Sequence, residues 1–519
     1  MACWVLQILA QNPKLIAAIL ISGIGGAFQY GIQISILNAP SVFIKEMVNH
    51  TYTERYGLVL EHSQLSLIWS FIVSIYCIGG LMGSLVAGRL ANKYGRKRSL
   101  QLNNLLAIFG ALLMGLSKTA QAFEMILAGR FVYGINAGMG LLIHSMYLIE
   151  CSPKRVRTMV GVTISLYISI GKFTGQLLGL SELLGTENGW PWLLGFGGVT
   201  GLLQLLTLPL LPESPRYLLL MKEDRQACEK AMERLWGRDQ DHSSEMEDML
   251  AEGAAQKGVR VRGVKELLTE PSVRWQLLTV FITAATIQLC GINAVFFYGR
   301  DLFKKAGIND SDQPYIALGT GLCELLAGTI SSLVIENVGK KILLSFGYLI
   351  MAGVLVLLTI TLYLQSQVPW MSYCSIILIF IFIILFCSGP SATTASLPGD
   401  IFNQSFKAAA YTVNGTMMWT CLFLVGMLFP FMVDNMGYLC FLIFLAFCFG
   451  AGLFIWFNVP ETRNRTVLEI DAEYRRIHRR TSPQTKPTEE ATPTAETAFL
   501  ENSVSAPTDQ PALRDEECT

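Results

Sequence analysis

The residues of this sequence that could do chemistry are hydrogen-bonding side chains inside long apolar segments. Gln176, Gln288 and Asn293 are amides in such segments, and Glu324 is a carboxylate. A polar side chain is costly inside a lipid bilayer unless it meets a partner on another helix or faces a cavity. An uncharged amide both donates and accepts hydrogen bonds, which suits a polar, uncharged ligand. We therefore predict that these side chains either bind a polar solute or join helices to one another.

The composition indicates that lipid is the main solvent of the chain. Of its 519 residues, 52% are hydrophobic and 15% are charged, and the net charge is zero, whereas about a quarter of a typical soluble domain is charged. The 12 cysteines stand mostly singly in apolar stretches, without a Cys-x-x-Cys pair, so we expect no metal site. Neither a nucleophile with its base nor a phosphate-binding loop stands out, so we predict no enzyme and no cofactor.

Twelve segments are long and apolar enough to cross a bilayer, which takes about 20 residues. They lie near 14–37, 65–88, 100–118, 122–148, 158–182, 190–211, 276–303, 313–336, 342–364, 370–398, 408–433 and 437–458. The sequence thus predicts an all-α membrane protein. Basic residues concentrate in the short loops after the second, fourth, eighth and tenth segments, and cytoplasmic loops carry such an excess. Both termini are therefore expected in the cytoplasm.

A polar stretch divides the twelve segments six and six. We predict an N-terminal half over 1–211, a cytoplasmic helical linker over 212–275, a C-terminal half over 276–459, and a mostly disordered cytoplasmic tail over 460–519. The first outer loop contains Asn49-His50-Thr51, a glycosylation acceptor on the side where glycosylation is possible.

The two halves repeat short motifs at an offset of about 250 residues. Gly95-Arg96-Lys97 corresponds to Gly339-Lys340-Lys341, and Pro212-Glu213 corresponds to Pro460-Glu461. Such a parallel repeat places the binding site between the halves, near the middle of the bilayer.

Five motifs together resemble the sugar-porter family of the major facilitator superfamily. They are Gly95-Arg96-Lys97, Gly129-Arg130-Phe131-Val132-Tyr133-Gly134, Pro212-Glu213-Ser214-Pro215-Arg216, Gln288-Leu289-Cys290-Gly291-Ile292-Asn293-Ala294 and Pro460-Glu461-Thr462. The resemblance covers about residues 15 to 470 and is greatest to the class II facilitative hexose transporters, the branch that handles fructose and urate. It implies the major facilitator fold, two pseudo-symmetric six-helix halves, and uniport of fructose or glucose across the cell membrane by alternating access.

The resemblance also assigns roles to particular residues. Those expected to bind the solute are Gln176, Gln288, Asn293, Glu324 and Trp419. Gly291 would let its helix break as an outer gate, with Phe297 and Tyr298 as aromatic residues of that gate. Charges at the cytoplasmic helix ends resemble the inner latch of the family. They are Arg96, Arg130, Glu150, Arg157, Glu213, Arg216, Glu336, Lys340, Lys341, Asp400, Lys407 and Glu461.

Several family positions differ in this chain, which leaves the solute open. Ile287 replaces a glutamine, Glu324 replaces an asparagine, and Gln33 stands where proton-driven porters place an aspartate. Because glutamine does not titrate, passive uniport is favoured, and Glu324 is the one carboxylate that could support proton coupling. Glu324 could instead bind the substrate or pair across helices. Urate or another organic anion is an alternative solute that an ionised Glu324 would repel. A sensor that binds solute without moving it is a further alternative.

Overall fold

The computed structural model describes residues 13–154, 156–237, 243–257, 260–334, 338–463 and 465–479, and within these ranges the regular elements are helices. Each of the twelve predicted segments coincides with a helix. These are α1 (Pro13–Ile24 and Ala27–Ser35), α2 (His62–Tyr94), α3 (Arg96–Leu116), α4 (Phe123–Glu150), α5 (Arg157–Leu178), α6 (Trp190–Thr207), α7 (Arg274–Leu289 and Ile292–Lys305), α8 (Gln313–Val334), α9 (Lys340–Leu364), α10 (Met371–Phe386), α11 (Gln404–Met436) and α12 (Cys440–Asn458). We call α1–α6 the N-terminal half and α7–α12 the C-terminal half.

Length and composition alone identify nine membrane-spanning candidates among the described residues, one of which, Gln404–Asn458, contains both α11 and α12. Helices α5 and α8 are not among them. These two helices carry charges and amides in their middle turns, and they pack against each other. Their polar side chains therefore face a protein neighbour and not lipid, as the cost of polar groups in a bilayer requires.

The helices alternate in direction, so the bundle has two distinct ends. The linker forms four helices at one end, namely Pro215–Leu220, Arg225–Trp236, Ser243–Lys257 and Val264–Thr269, and we call it the linker end. The opposite end carries helix Ser41–Tyr56, which was predicted as part of a loop. The predicted tail begins as a further helix, Val467–Arg479. It is ordered there because Ile470 and Tyr474 are buried; from residue 480 the tail lies outside the described residues.

The linker is attached to both halves. Trp236 donates from Nε1 to the carbonyl of Cys151 at the end of α4 (3.0 Å). Arg262 donates from its backbone to the carbonyl of Ser405 in α11 (3.0 Å), and its guanidinium lies over the Phe406 ring. The first linker helices thus dock on the N-terminal half and the last on the C-terminal half.

Within each half, small residues let helix backbones approach closely. Gly134 of α4 lies against α2, where an added Cβ would stand 2.1 Å from the carbonyl oxygen of Tyr76. Gly171 of α5 lies in the same way against Phe28 of α1. Because lipid provides no hydrophobic drive between helices, such close packing supplies much of their attraction.

Helix α7 is broken at the glycine that the sequence analysis singled out. Gly291 has a φ of +98°, a conformation that costs a residue with a side chain about 1–2 kcal/mol. An added Cβ would also stand 2.6 Å from Cδ2 of Phe444. The break is therefore encoded locally and reinforced by packing.

We expect Gly291→Ala to lower the free energy of unfolding in detergent by about 1–2 kcal/mol through backbone strain. The matched control is Gly353→Ala in the middle of α9, where no atom lies within 4 Å of the added Cβ. Alanine is a better helix former than glycine by about 0.5–1 kcal/mol, so the control variant should be at least as stable as the original protein. Equal stability of the two variants would contradict this account of the break.

Candidate functional site

The two halves meet along two pairs of helices, α2 with α11 and α5 with α8. Helices α5 and α8 run antiparallel, and polar residues pair along their contact, which we call the seam. Its pairs, taken from the opposite end toward the linker end, are Glu182 with Tyr315, Gln176 with Thr320, and Lys172 with Glu324. One partner of each pair comes from each half, so the seam connects the halves through polar contacts.

Gln176 is buried in the seam, as expected of a residue that serves a solute or a helix contact. Its Nε2 donates to Oγ1 of Thr320 (3.3 Å), while its Oε1 has no hydrogen-bond partner among the described residues. Gly321 leaves room for this amide, because a Cβ there would stand 1.9 Å from that oxygen. An unpaired buried acceptor is costly, so Gln176 Oε1 is an unsatisfied acceptor among the described residues of the seam.

Glu324 forms an ion pair across the seam with Lys172. The lysine Nζ lies 2.7 Å from Oε1 of Glu324, and both side chains are only 7% exposed. The ammonium also lies 4.3 Å from the centroid of the Phe296 ring on α7. Of the two roles left open for Glu324, the structure therefore displays pairing across helices. Sequence analysis missed Lys172, although a single charge in the middle of a predicted span is the signal that identifies such a residue.

Gln288 and Asn293 flank the break of α7 and bind each other. Asn293 donates from Nδ2 to Oε1 of Gln288, and both residues are buried. The positive φ of Gly291 brings the two amides together across one turn. Each amide therefore uses one polar atom on the other, and Gln288 Nε2 and Asn293 Oδ1 take no part in this bond.

Trp419 of α11 packs against aromatic residues of the N-terminal half. Its ring makes edge-on contacts with Tyr30 of α1 and Tyr76 of α2, at centroid distances of 5.8 and 5.9 Å. Gly80 on α2 makes space for the indole. Trp419 thus belongs to the interface between the halves, where a solute site of a parallel repeat is expected.

The expected gate aromatics lie beyond Gly291, toward the opposite end. Phe297 is buried, and Tyr298 donates its hydroxyl to the carbonyl of Gly426 on α11. Tyr298 has non-helical angles within α7 (φ −127°, ψ 24°), and its ring lies 5.4 Å from that of Phe429. Helix α7 therefore bends a second time at Tyr298, between Gly291 and the opposite end, where this residue contacts α11.

Further contacts join the halves at the opposite end. Lys45 lies 3.1 Å from the carboxylate of Asp301, and Arg300 donates to Oδ1 of Asn38 and to the carbonyl of Ala39. Tyr315 donates to Glu182 in the loop after α5, which holds the pKa of that carboxyl below its usual range. A small cavity of about 30 Å³ lies between these contacts and Gln176, and a larger one of about 340 Å³ lies beside Lys45 and Asp301. The halves are therefore joined by polar contacts at this end, with a cavity beside them.

At the linker end, the expected latch charges of the N-terminal half pair within that half or with the linker. Arg96 donates from Nη2 to Oε1 of Glu150 (2.8 Å). Glu213 accepts from the backbone N–H groups of Arg96 and Lys97 at the start of α3. Two further arginines reach the linker helix Ser243–Lys257: Arg157 pairs with Glu245 (3.8 Å) and Arg216 with Glu252 (2.7 Å).

The C-terminal half repeats this arrangement. Lys340 lies 2.6 Å from Oδ2 of Asp400, and Glu461 accepts from the backbone N–H groups of Lys340 and Lys341. Lys407 lies beside Gly399 in the same region. Glu336 lies outside the described residues. Among those that are described, the ion pairs of the expected latch do not cross between the halves.

Arg130 does not belong to this group, so its assignment to the latch was wrong. It precedes Glu150 by about 20 residues on α4, which places the two about 30 Å apart at 1.5 Å per residue. Its guanidinium is fully buried near the opposite end, where it donates to the carbonyl and Oε1 of Gln33 (2.9 and 3.2 Å) and lies over the Tyr76 ring. The predicted segment 122–148 already placed Arg130 near its start, far from Glu150, so the sequence contained the signal that Arg130 lies apart from the latch.

Comparisons with known proteins identify the class of protein that this fold and interface define. The family model described as sugar (and other) transporter matches residues 18–474, so the chain belongs to this family, as the motifs predicted. It is accordingly a multi-pass membrane transporter and not an enzyme.

Particular relatives are similar over most of their length. The human solute carrier family 2, facilitated glucose transporter member 9 is 44% identical over 473 residues, which cover 91% of this chain and 87% of the relative. Human member 11 of the same solute carrier family is 41% identical, over 91% of this chain and 95% of the relative. A solved structure of the xylose transporter XylE from E. coli, in a partially occluded inward-open conformation, has a TM-score of 0.72 at 20% identity, over 88% of this chain and 100% of that one. This likeness confirms the major facilitator fold.

Proposed function

We propose that this protein is a facilitative transporter of a hexose, fructose or glucose, that works by alternating access in the cell membrane. The observation that carries the proposal is the polar seam between the two repeated halves. Gln176 offers a buried amide in the seam, the Gln288–Asn293 pair offers two more on α7, and Gln176 Oε1 has no partner among the described residues. A dehydrated sugar must recover its hydrogen bonds from such groups.

The arrangement of contacts supports alternating access. The halves are joined at the opposite end by Lys45 with Asp301 and by Arg300 with Asn38, whereas the described ion pairs of the latch lie within one half or reach the linker. A state joined across the halves at one end and, among the described residues, free of cross-half ion pairs at the other is one of the two states that such a transporter needs. In this proposal the structure is inward-facing, and the latch charges rearrange when that end closes.

The proposed orientation places the linker end and both termini in the cytoplasm. Lys93, Arg96, Lys97, Lys340 and Lys341 lie at that end, and cytoplasmic loops are enriched in Lys and Arg. Asn49 lies on helix Ser41–Tyr56 at the opposite end, where its Oδ1 accepts a bond from the backbone N–H of Leu60. We propose this end as the outer face and Asn49 as its glycosylation site.

Passive uniport is supported by the groups that could have carried a proton. Gln33 accepts hydrogen bonds from Arg130 and does not titrate. Glu324 is engaged by Lys172. An organic anion such as urate would need a free cation, but in the described part of the seam the lysine is already paired. These contacts favour a neutral solute.

The proposal is tested by uptake of labelled fructose, glucose and urate into proteoliposomes of the purified protein, with and without a pH gradient. Equilibration of one hexose, independent of the gradient, is the expected result. Accumulation driven by the gradient would contradict uniport. Uptake of urate alone would contradict the hexose assignment, and binding without flux would identify a sensor.

We expect Gln176→Leu to raise the KM for the hexose about tenfold, because a lost hydrogen bond in a dry site costs about 1–1.5 kcal/mol. Thr174→Val on the same helix is the control, since the Thr174 hydroxyl donates to the carbonyl of Ile170 one turn earlier (2.8 Å) and, among the described residues, to no other group. An unchanged KM in Gln176→Leu would remove Gln176 from the site.

We expect Glu150→Ala and Arg157→Ala to reduce the rate of uptake while surface expression stays intact. The first variant removes the partner of Arg96, and the second removes the ion pair that links α5 to Glu245 of the linker. Lys154→Ala is the control, because Lys154 and Asp248 form an exposed pair, and such pairs contribute only about 0–1 kcal/mol. Full activity in both latch variants, measured at equal surface expression, would refute the latch.

A further inference from the structure

The Lys172–Glu324 pair is isolated in the middle of the seam. One turn toward the opposite end is the neutral pair Gln176–Thr320, and one turn toward the linker end Gly328 lies beside Ser169. The positive partner comes from the N-terminal half and the negative partner from the C-terminal half. The seam therefore presents one charge of each sign and no net charge at this depth.

The lysine is held on two sides by the C-terminal half. Its Nζ contacts Oε1 of Glu324 at 2.7 Å and the face of the Phe296 ring at 4.3 Å. Cation–π contacts and charge-assisted hydrogen bonds both attract an ammonium group. The charge of Lys172 is thus balanced by Glu324, so the pair offers an anion little net attraction.

The glutamate, in contrast, keeps one atom free. Its Oε2 is buried and has no hydrogen-bond partner among the described residues. Gln176 Oε1, one turn away along the seam, is also buried and unpartnered. Two acceptor oxygens on neighbouring turns fit a solute that carries several O–H donors. A solute with a negative charge would meet the free oxygen of Glu324, and one with a positive charge would meet the Lys172 ammonium.

We propose that the buried pair of Lys172 and Glu324 is a charge filter that restricts this transporter to neutral polyhydroxylated solutes, with Lys172 as a specificity-determining residue. This inference rests on the proposed function. Each member of the pair cancels the attraction of the other for a charged solute, while Glu324 Oε2 still accepts a hydroxyl. Loss of one member converts the site into one for the charge that the other attracts.

The test compares three solutes of similar shape: the transported hexose, the hexuronate that carries a carboxylate at C6, and the hexose that carries an amine at C6. For the original protein, both charged solutes should compete with the hexose at least 100-fold more weakly than unlabelled hexose does. Competition by either within tenfold of the hexose would overturn the filter, whatever the variants do.

The variants test the two charges separately. Glu324→Gln should raise the affinity for the hexuronate relative to the hexose at least tenfold, and Lys172→Met should do the same for the amino sugar. The double variant Lys172→Met/Glu324→Gln is the matched control and should favour neither charged solute. If the affinity for the charged sugar relative to the hexose is unchanged in both single variants, the filter is contradicted. If a single variant does not fold, the competition measured with the original protein still decides.

Affinity is read from the ligand-induced shift in melting temperature as well as from uptake. A protein that binds the three solutes with the expected preferences but moves none of them contradicts the proposed transport and upholds the filter. A protein that moves the hexose but also accepts either charged solute upholds transport and overturns the filter.

Discussion

Burial of charge and amide groups at membrane depth constrains this structure more than any other factor. An uncompensated charge in a bilayer costs several kcal/mol, so Lys172 and Glu324 must meet each other or water. Because they lie on different halves, their attraction acts between the two bodies that a transporter has to move. Helices α5 and α8, predicted as the segments 158–182 and 313–336, carry these polar groups across the bundle because each helix provides partners for the other.

The cost of burying charge also explains why the contacts between the halves differ along the bundle. At the opposite end, Lys45, Asp301, Arg300 and Asn38 connect the halves near the solvent, where ion pairs cost little to break. In the middle, the Lys172–Glu324 pair is dry and is expected to be costly to separate. At the linker end, the described pairs stay within a half or reach the linker. The structure therefore has weak contacts where it must open often and a strong contact near the proposed solute.

Sequence patterns predicted the helices well, because apolar length is a local property. They also predicted the break at Gly291, since a glycine between two amides in an apolar segment is a local signal too. Arg130 was placed in the latch by the family resemblance, although the predicted segment 122–148 puts it near the opposite end of that helix. Sequence patterns missed the Lys172–Glu324 pair, because no local pattern indicates which faces of α5 and α8 meet. The predicted solute residues lie at the interface of the halves, but Gln288 and Asn293 bind each other there, which spacing alone could not reveal.

The account is tested most directly by a double-mutant cycle on the pair. The free energy of unfolding in detergent would be measured for the original protein, Lys172→Met, Glu324→Met and the double variant. Each single variant leaves a buried charge unpaired, which lowers the free energy of unfolding by about 3–5 kcal/mol. Removal of both charges together changes this free energy little. We therefore expect a coupling free energy between Lys172 and Glu324 of at least about 3 kcal/mol. Effects that add to within about 0.5 kcal/mol, as for residues that do not interact, would contradict it.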